Sequence, residues 1–447
     1  MSFPHTVLAL KRGTVLRSSD RLDRQLERDE RLDPDALAAL SAERSIAHAR
    51  FAMEHSPFYR ERYGSAGFTL DDLRDPAAFD ELPIIEKADV REHAAAFRTP
   101  EADDRTSAVS TTGGSTGEPL RLLRDLRFPA RALEWRLFRW WGVDPSDNTA
   151  LLSRHVKSAR AELKHAAAWW PSRRIQLDAN HMDPEHVDRF VEGWQRIRPK
   201  ALVGYVGGIA ELARLLDERG LSIAAPTAVA VTAAPITPAQ RELIGRVFRA
   251  PVYDHYRSAE IPWMGGECSA HDGLHVFSDV RTLDLVDESD RPVPDGTVGQ
   301  VVFTDLTNRV FPLVRYRLGD RTARMQGECS CGVTLPRITA VVGRVSEALH
   351  LPDGRVIAGE GLTQLFATAP GAVRQFQIHQ LADHSIVVRV VSSGADDAPG
   401  AIRAAVDRLA AMTSGSVPVS LELVADIPHD RGKVRYIRSD VAKRPTA

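Results

Sequence analysis

The chain begins in a helical rhythm. Across residues 20–63 apolar positions recur at three- and four-residue spacing, most regularly in LDPDALAALSAERSIAHARFAMEHS, where Asp33 is placed to cap the start. LPIIEKADVREHAAAF reads as a short extended entry followed by a helix. Two short apolar runs, TSAV and LRLLRDL, flank the stretch STTGGSTGEPL (110–120), and strands on both sides of one loop predict a hairpin. From about 128 to 220 helical and extended pieces alternate. RPKALVGYVGGIAELARLLDERG reads as a strand and an amphipathic helix ended by Gly220, and APTAVAVTAAPITPAQRELIGRVF repeats it, with Thr237 as N-cap and Pro238 at the first helical position. APVYDHYRSAE adds a further strand. This alternation predicts a mostly parallel sheet with helices on its faces.

After residue 270 the period drops to two and is broken by Pro, Asp and Gly, which predicts antiparallel hairpins. From 345 onward a smaller α+β unit follows. It has a helix near GEGLTQLFATAP, strands at QFQIHQL and SIVVRVVSS, and a helix at APGAIRAAVDRLAAM. The expected fold class is α/β with mixed α+β layers. A large N-terminal domain (1–343) is followed by a small mobile C-terminal α+β domain (344–447), with the boundary near VVGRVSE.

Composition narrows the function. With 58 Lys and Arg against 60 Asp and Glu, the net charge of -2 lacks the basic excess of a nucleic-acid binder. No apolar run approaches a membrane span, and the N-terminal charges follow the short apolar run instead of preceding it, as a secretory leader would not. Three cysteines cannot build a disulfide framework, so the expected location is the cytoplasm.

The stretch 110–120 packs three glycines and five hydroxyls into eleven positions, a composition that lets backbone N–H groups and hydroxyls face an anion. It lacks the Gly-Lys-Ser/Thr ending of a P-loop, and taken alone it reads as a surface hairpin. Four further stretches follow in order: YDHYRSAE (253–260), RYRLGD (315–320), ITAVVGR (338–344) and RGKVRYIRSDV (431–441). As an ordered set they resemble the adenylate-forming superfamily of acyl-CoA synthetases, luciferases and peptide-synthetase adenylation domains. The STGEP form of the loop and the CSCGVTLPRITAVVGR stretch resemble the phenylacetate–CoA ligase branch. The segment from QLDANHMD to GGIAELA is similar to that branch's relatives in capsule and secondary-metabolite clusters. The resemblance runs from about residue 50 to 440.

The resemblance implies roles. Ser110, Thr111, Thr112, Ser115 and Thr116, with Gly113, Gly114 and Gly117, would grip the phosphates of ATP. Tyr256 would stack on adenine, Asp254 would accept from its exocyclic amine, and Ala233, Ala234 and Pro235 would form the other wall of the slot. Glu260 would hold Mg²⁺ at the α-phosphate, and Asp320 would accept from both ribose hydroxyls. Arg344 would contact the nucleotide and open the hinge, and Lys433 would stabilise charge on the α-phosphate and the attacking carboxylate. Tyr205 and Gly207 would line the acyl pocket. The sequence departs from the family's Tyr-Gly-x-x-Glu pattern, with Arg257 in the glycine position and Ala259 in that of a hydroxyl.

Thiolate and imidazole ligands suit Zn²⁺. Cys268, Cys329 and Cys331 are joined by either His271 or His275; the resemblance favours His275. The expected activity is conversion of a carboxylic acid and ATP to an acyl-adenylate and pyrophosphate, then acyl transfer to CoA. Transfer to an amine in polysaccharide or natural-product synthesis is the alternative, and a nucleotide-binding protein without catalysis is another. The expected partners are small molecules, without nucleic acid or a membrane span, and a homodimer is compatible with the chain.

Overall fold

The helical opening takes shape as α1 (Phe3–Gly13), α2 (Arg17–Asp29), α3 (Pro34–His55), α4 (Pro57–Ser65) and α5 (Lys87–Glu92). These come from a computed structural model that describes residues 3–111, 120–153, 166–179, 182–341, 349–353, 356–357, 362, 365, 372–427 and 436–441. The Asp33 carboxylate accepts from the Asp35 N–H at 3.0 Å, so the expected cap forms. α5 stops at Glu92, short of the helix that its sequence suggests. The chain turns instead, which buries Phe97 between Phe58 (4.0 Å) and Phe311 (5.2 Å).

The flanks of the glycine-rich stretch do form a hairpin. β1 (Ser107–Thr111) pairs antiparallel with β2 (Arg121–Asp125), with Ser110 opposite Leu122. After α6 (Arg131–Trp140) comes the alternating region: β3 (Thr149–Ser153), β4 (Arg174–Asp178), α7 (Pro184–Ile197), β5 (Ala201–Tyr205), α8 (Val206–Glu218), β6 (Ala228–Thr232), α9 (Pro238–Phe248) and β7 (Val252–Tyr256). Its strands are parallel, in the order β7-β6-β5-β3-β4. Thr237 caps α9 and exchanges bonds with Gln240, as the sequence predicts.

The period-two region then extends this sheet antiparallel. It supplies β8 (Gly265–Glu267), β9 (Leu274–Val276), β10 (Arg281–Val286), β11 (Val298–Asp305), β12 (Tyr316–Met325) and β13 (Arg337–Ile338). The described strands make one sheet in the order β10-β11-β12-β13-β9-β8-β7-β6-β5-β3-β4. β6 shows why it is central. Val229 and Val231 enter the core shared with α7, α8 and α9, whereas Ala228 and Ala230 face Trp141 and Phe138 on the other side.

The C-terminal unit is small and α+β. β14 (Leu349–His350) pairs with β15 (Val356–Ile357), and β16 (Val373–Gln380), β17 (Ile386–Ser392), β18 (Val419–Leu423) and β19 (Ile437–Ser439) form a sheet in the order β18-β17-β16-β19. α10 (Ala398–Met412) packs Ile402, Ala405 and Leu409 into a core with Ile378, Val388 and Val390. Among the described residues no helix is long and apolar enough to cross a membrane.

Candidate active site

Tyr256 ends β7, and its hydroxyl donates a 2.6 Å hydrogen bond to Asp320 Oδ2, 64 positions away in sequence. Asp320 reaches this point through a bulge in β12. Gln300 pairs with Arg321 and Val302 with Arg317, so three residues of β12 face Val301 alone. Gly319 has φ +84, a conformation that glycine adopts without strain, and the extra residues re-aim Asp320. The Tyr256 ring lies 5.8 Å from Phe303.

The neighbouring strand brings the rest of the expected slot. Val231 pairs with Asp254, so the Ala233, Ala234, Pro235 turn leaves β6 at the same end of the sheet as Tyr256. Thr232 Oγ1 donates to the His255 carbonyl at 2.7 Å and ties the two strand ends together. Ala233 holds φ +76, which is rare for a residue with a Cβ. Asp254 donates its N–H to Glu267 Oε2 at 2.8 Å. Burial and then the Glu267 carboxylate push the Asp254 carboxyl up to about 7, so near neutrality it can donate as well as accept.

Glu260 is buried in the loop between β7 and β8. Its Oε1 lies 3.9 Å from Lys87 Nζ, and Oε2 is buried without a hydrogen-bond partner among the described residues. An orphaned carboxylate oxygen is a group that a hard divalent cation satisfies. Ser110 Oγ donates to the Ala259 carbonyl at 3.1 Å, which anchors the hairpin beside Glu260. Thr111 closes β1. Thr112, Gly113, Gly114, Ser115, Thr116, Gly117, Arg344 and Lys433 lie outside the described residues.

Tyr205 precedes α8, and a Cβ on Gly207 would meet open space. At Gly204 a Cβ would stand 2.6 Å from Leu152 Cβ, so the close approach of β5 and β3 requires glycine there.

Cys268, His275, Cys329 and Cys331 offer ligand atoms that all lie within 4.8 Å of one another. Cys268 Sγ is 3.6 Å from Cys329 Sγ, and Cys331 Sγ is 3.4 Å from His275 Nε2. Tetrahedral zinc, with bonds of about 2.3 Å to sulfur and about 2.0–2.1 Å to nitrogen, separates such ligands by about 3.8 and about 3.6 Å. The four residues therefore fit the ion. His275 Nδ1 lies 2.9 Å from the Leu335 carbonyl, which fixes the tautomer that leaves Nε2 free. His271 instead pairs with Glu267 at 3.3 Å and stacks on Tyr253.

A family profile described as the CapK C-terminal domain matches residues 349–440. The phenylacetate-coenzyme A ligase of Thermus thermophilus is 26% identical over 361 residues, covering 78% of this chain and 79% of its own. The enzyme of that name from Escherichia coli is 25% identical and covers 71% and 75%. The chain is similar to these adenylate-forming ligases over about three quarters of its length. Its fold superposes on 2-hydroxyisobutyryl-CoA ligase in the postadenylation state with a TM-score of 0.75, at 21% identity over 93% of this chain and 92% of that one. The amide bond synthetase McbA from Marinactinospora thermotolerans shares the adenylate-forming fold at a TM-score of 0.53 and 16% identity, covering 75% and 68%.

Three side chains at this site carry no role in the sequence reading: Lys87, Arg124 and Arg257. Lys87 stands 173 positions before Glu260, and no local pattern links them. Arg257 is visible in the sequence as a bulky cation in a glycine position. Arg124 lies on β2 and reaches the Ala259 carbonyl from Nη2 at 3.5 Å.

Proposed function

We propose that this chain joins a carboxylic acid to ATP, releasing pyrophosphate and forming an acyl-adenylate, and then passes the acyl group to CoA. The observation that carries the reading is the Tyr256–Asp320 hydrogen bond, because it assembles an aromatic face and a ribose-binding carboxylate beside the buried Glu260. In this reading Asp320 accepts from the ribose hydroxyls, the 110–117 loop donates to the phosphates, and Asp254 meets the adenine edge. Glu260 contributes a carboxylate oxygen to Mg²⁺, which supplies charge neutralisation at the phosphates. Domains 1–343 and 344–447 would divide the work, with Arg344 at their hinge and Lys433 brought in by the smaller one. Tyr205 and Gly207 would border the acyl group. Zinc at Cys268, His275, Cys329 and Cys331 would be structural, since four protein ligands leave no open position.

The structural likeness to an amide bond synthetase favours a second reading, in which an amine takes the acyl group. Acid-dependent pyrophosphate release across a panel of carboxylic acids tests the activation step. Mass identification of the product formed with CoA or with amines separates the two acceptors. No pyrophosphate release with any acid would leave nucleotide binding without catalysis.

A further inference from the structure

Arg257 is a half-buried guanidinium that meets no anion. Its charged end lies over the Trp263 ring, 4.7 Å from the centroid, and among the described residues it makes no hydrogen bond or ion pair. Arg124 is close to the same loop. Among the described residues its Nη2 reaches the Ala259 carbonyl alone, and its Nε is buried without a partner. The carboxylate that acts on Arg257 is Glu134, and Arg174 already holds Glu134 at 3.3 and 3.4 Å. Burial pulls the Arg257 pKa down, and the Arg124 charge adds to this. The carboxylate that acts on Arg124 is Asp305, which Arg281 already holds at 2.8 Å. Two guanidinium groups withdrawn from water, whose nearest carboxylates are each held by another arginine, are costly, and an anionic ligand offsets that cost.

Direction separates this pair from the nucleoside. The Tyr256 ring packs with Phe303 and reaches Asp320 on one side of the β7 end. Arg257 points the other way, onto Trp263, which stacks on His255 at 5.5 Å. Tyr205 also acts electrostatically on Arg257, and Tyr205 opens α8, whose N-terminus has no side-chain cap. Beside it the space over Gly207 is open.

We propose that the acid accepted by this site carries a second negative group, a carboxylate, phosphate or sulfate, which is bound by Arg257 and Arg124. This rests on the acid-activating reading above and specifies its substrate class. Charge-assisted bonds to guanidinium favour such an acid by about 10- to 100-fold over its neutral counterpart.

The test uses matched probes, terephthalate with 4-methylbenzoate and glutarate with pentanoate. Each is titrated calorimetrically into the full chain in the presence of α,β-methylene-ATP. At least one dicarboxylate should bind about tenfold or more tightly than its partner. Arg257→Gln and Arg257→Gly should both erase that difference and leave affinity for α,β-methylene-ATP unchanged. Equal binding within both pairs, or no binding by any acid, overturns the proposal. So does an Arg257→Gln variant that loses the nucleotide while keeping the acid preference. Pyrophosphate release with ATP in place of the analogue reports separately on the ligase reading. A dicarboxylate preference in binding without pyrophosphate would refute catalysis and not the anion site.

Discussion

The Tyr256 hydroxyl and Asp320 Oδ2 are joined by a 2.6 Å hydrogen bond between the end of a parallel strand and a bulge in an antiparallel one. The two halves of the large sheet meet at the candidate nucleotide site, and this bond spans the junction. Tyr256→Phe keeps the aromatic face but removes a donor to a buried carboxylate. A hydrogen bond to a charged group is worth about 1.5–3 kcal/mol, so kcat/KM for ATP should fall about 10- to 100-fold. A variant that melts earlier yet keeps its ATP kinetics would show the bond to be structural only.

Much of this arrangement is legible in the sequence because it is local. The Asp33 and Thr237 caps, the hairpin around 110–120 and the change from parallel to antiparallel strands each follow from spacing within a few residues. The 64-residue link between Tyr256 and Asp320 is not local, and only the ordered motifs bring those two together before the fold does. Lys87 beside Glu260 has no such motif. The bulge at Gly319 reads as a turn because Gly-Asp serves both, and strand pairing alone decides between them. The cysteine pair leaves the fourth ligand open between His271 and His275. Register settles which imidazole is near: β9 places His275 opposite Arg337 of β13, just after the Cys329–Cys331 turn.

The cysteine–histidine cluster should bind one zinc ion per chain. Elemental analysis of protein purified without chelator should find one equivalent, and Cys329→Ser should lower it. Cys329 belongs to the core that joins α2, α6 and the strands, so loss of the ion should lower the melting temperature by several degrees. Pyrophosphate release per folded molecule should change much less. Full zinc content in Cys329→Ser would refute the ligand set.

Glu260 faces two cations in turn, the Lys87 ammonium at 3.9 Å and the divalent ion proposed at its free oxygen. Glu260→Gln should raise the Mg²⁺ needed for half-maximal activity about tenfold or more. Lys87→Met removes a competing charge and should lower it. Titrating Mg²⁺ against pyrophosphate release reads both, and shifts of equal sign would disprove the competition.

His255 is 1% exposed, and neither ring nitrogen has a hydrogen-bond partner among the described residues. Burial, then the Arg257 charge, lowers its pKa from 6.5 to about 3. The folded chain keeps this ring neutral while the unfolded chain takes up a proton below about 6.5. Its contribution to stability is therefore complete above that pH and is lost as pH falls toward 3. Between pH 7 and 5 the loss amounts to about 2 kcal/mol. His255→Phe keeps the stacking on Trp263, so urea unfolding of that variant should lose about 2 kcal/mol less than the unmodified chain over the same interval. Parallel pH profiles would show that His255 titrates normally.

Lys433 lies outside the described residues, and the expectation for it rests on the chemistry of the first half-reaction. Three positions on, the Tyr436 hydroxyl accepts from Gln240 Nε2 at 3.3 Å. Gln240 is in the first turn of α9, which follows the Ala233–Pro235 turn of the candidate slot. The C-terminal unit thus touches the large one at the rim of the candidate site. An ammonium there stabilises negative charge shared between the α-phosphate and the attacking carboxylate, a charge that exists only in the first half-reaction. Lys433→Ala should cut acyl-adenylate formation about a hundredfold or more, the scale for losing one strong charge-stabilising donor. Conversion of a pre-made acyl-adenylate to product should stay near the unmodified rate, because that step no longer moves charge onto the α-phosphate from the acid. Single-turnover measurements of the two steps decide it. Normal adenylate formation, or an equal fall in both steps in a folded variant, would remove Lys433 from the chemistry.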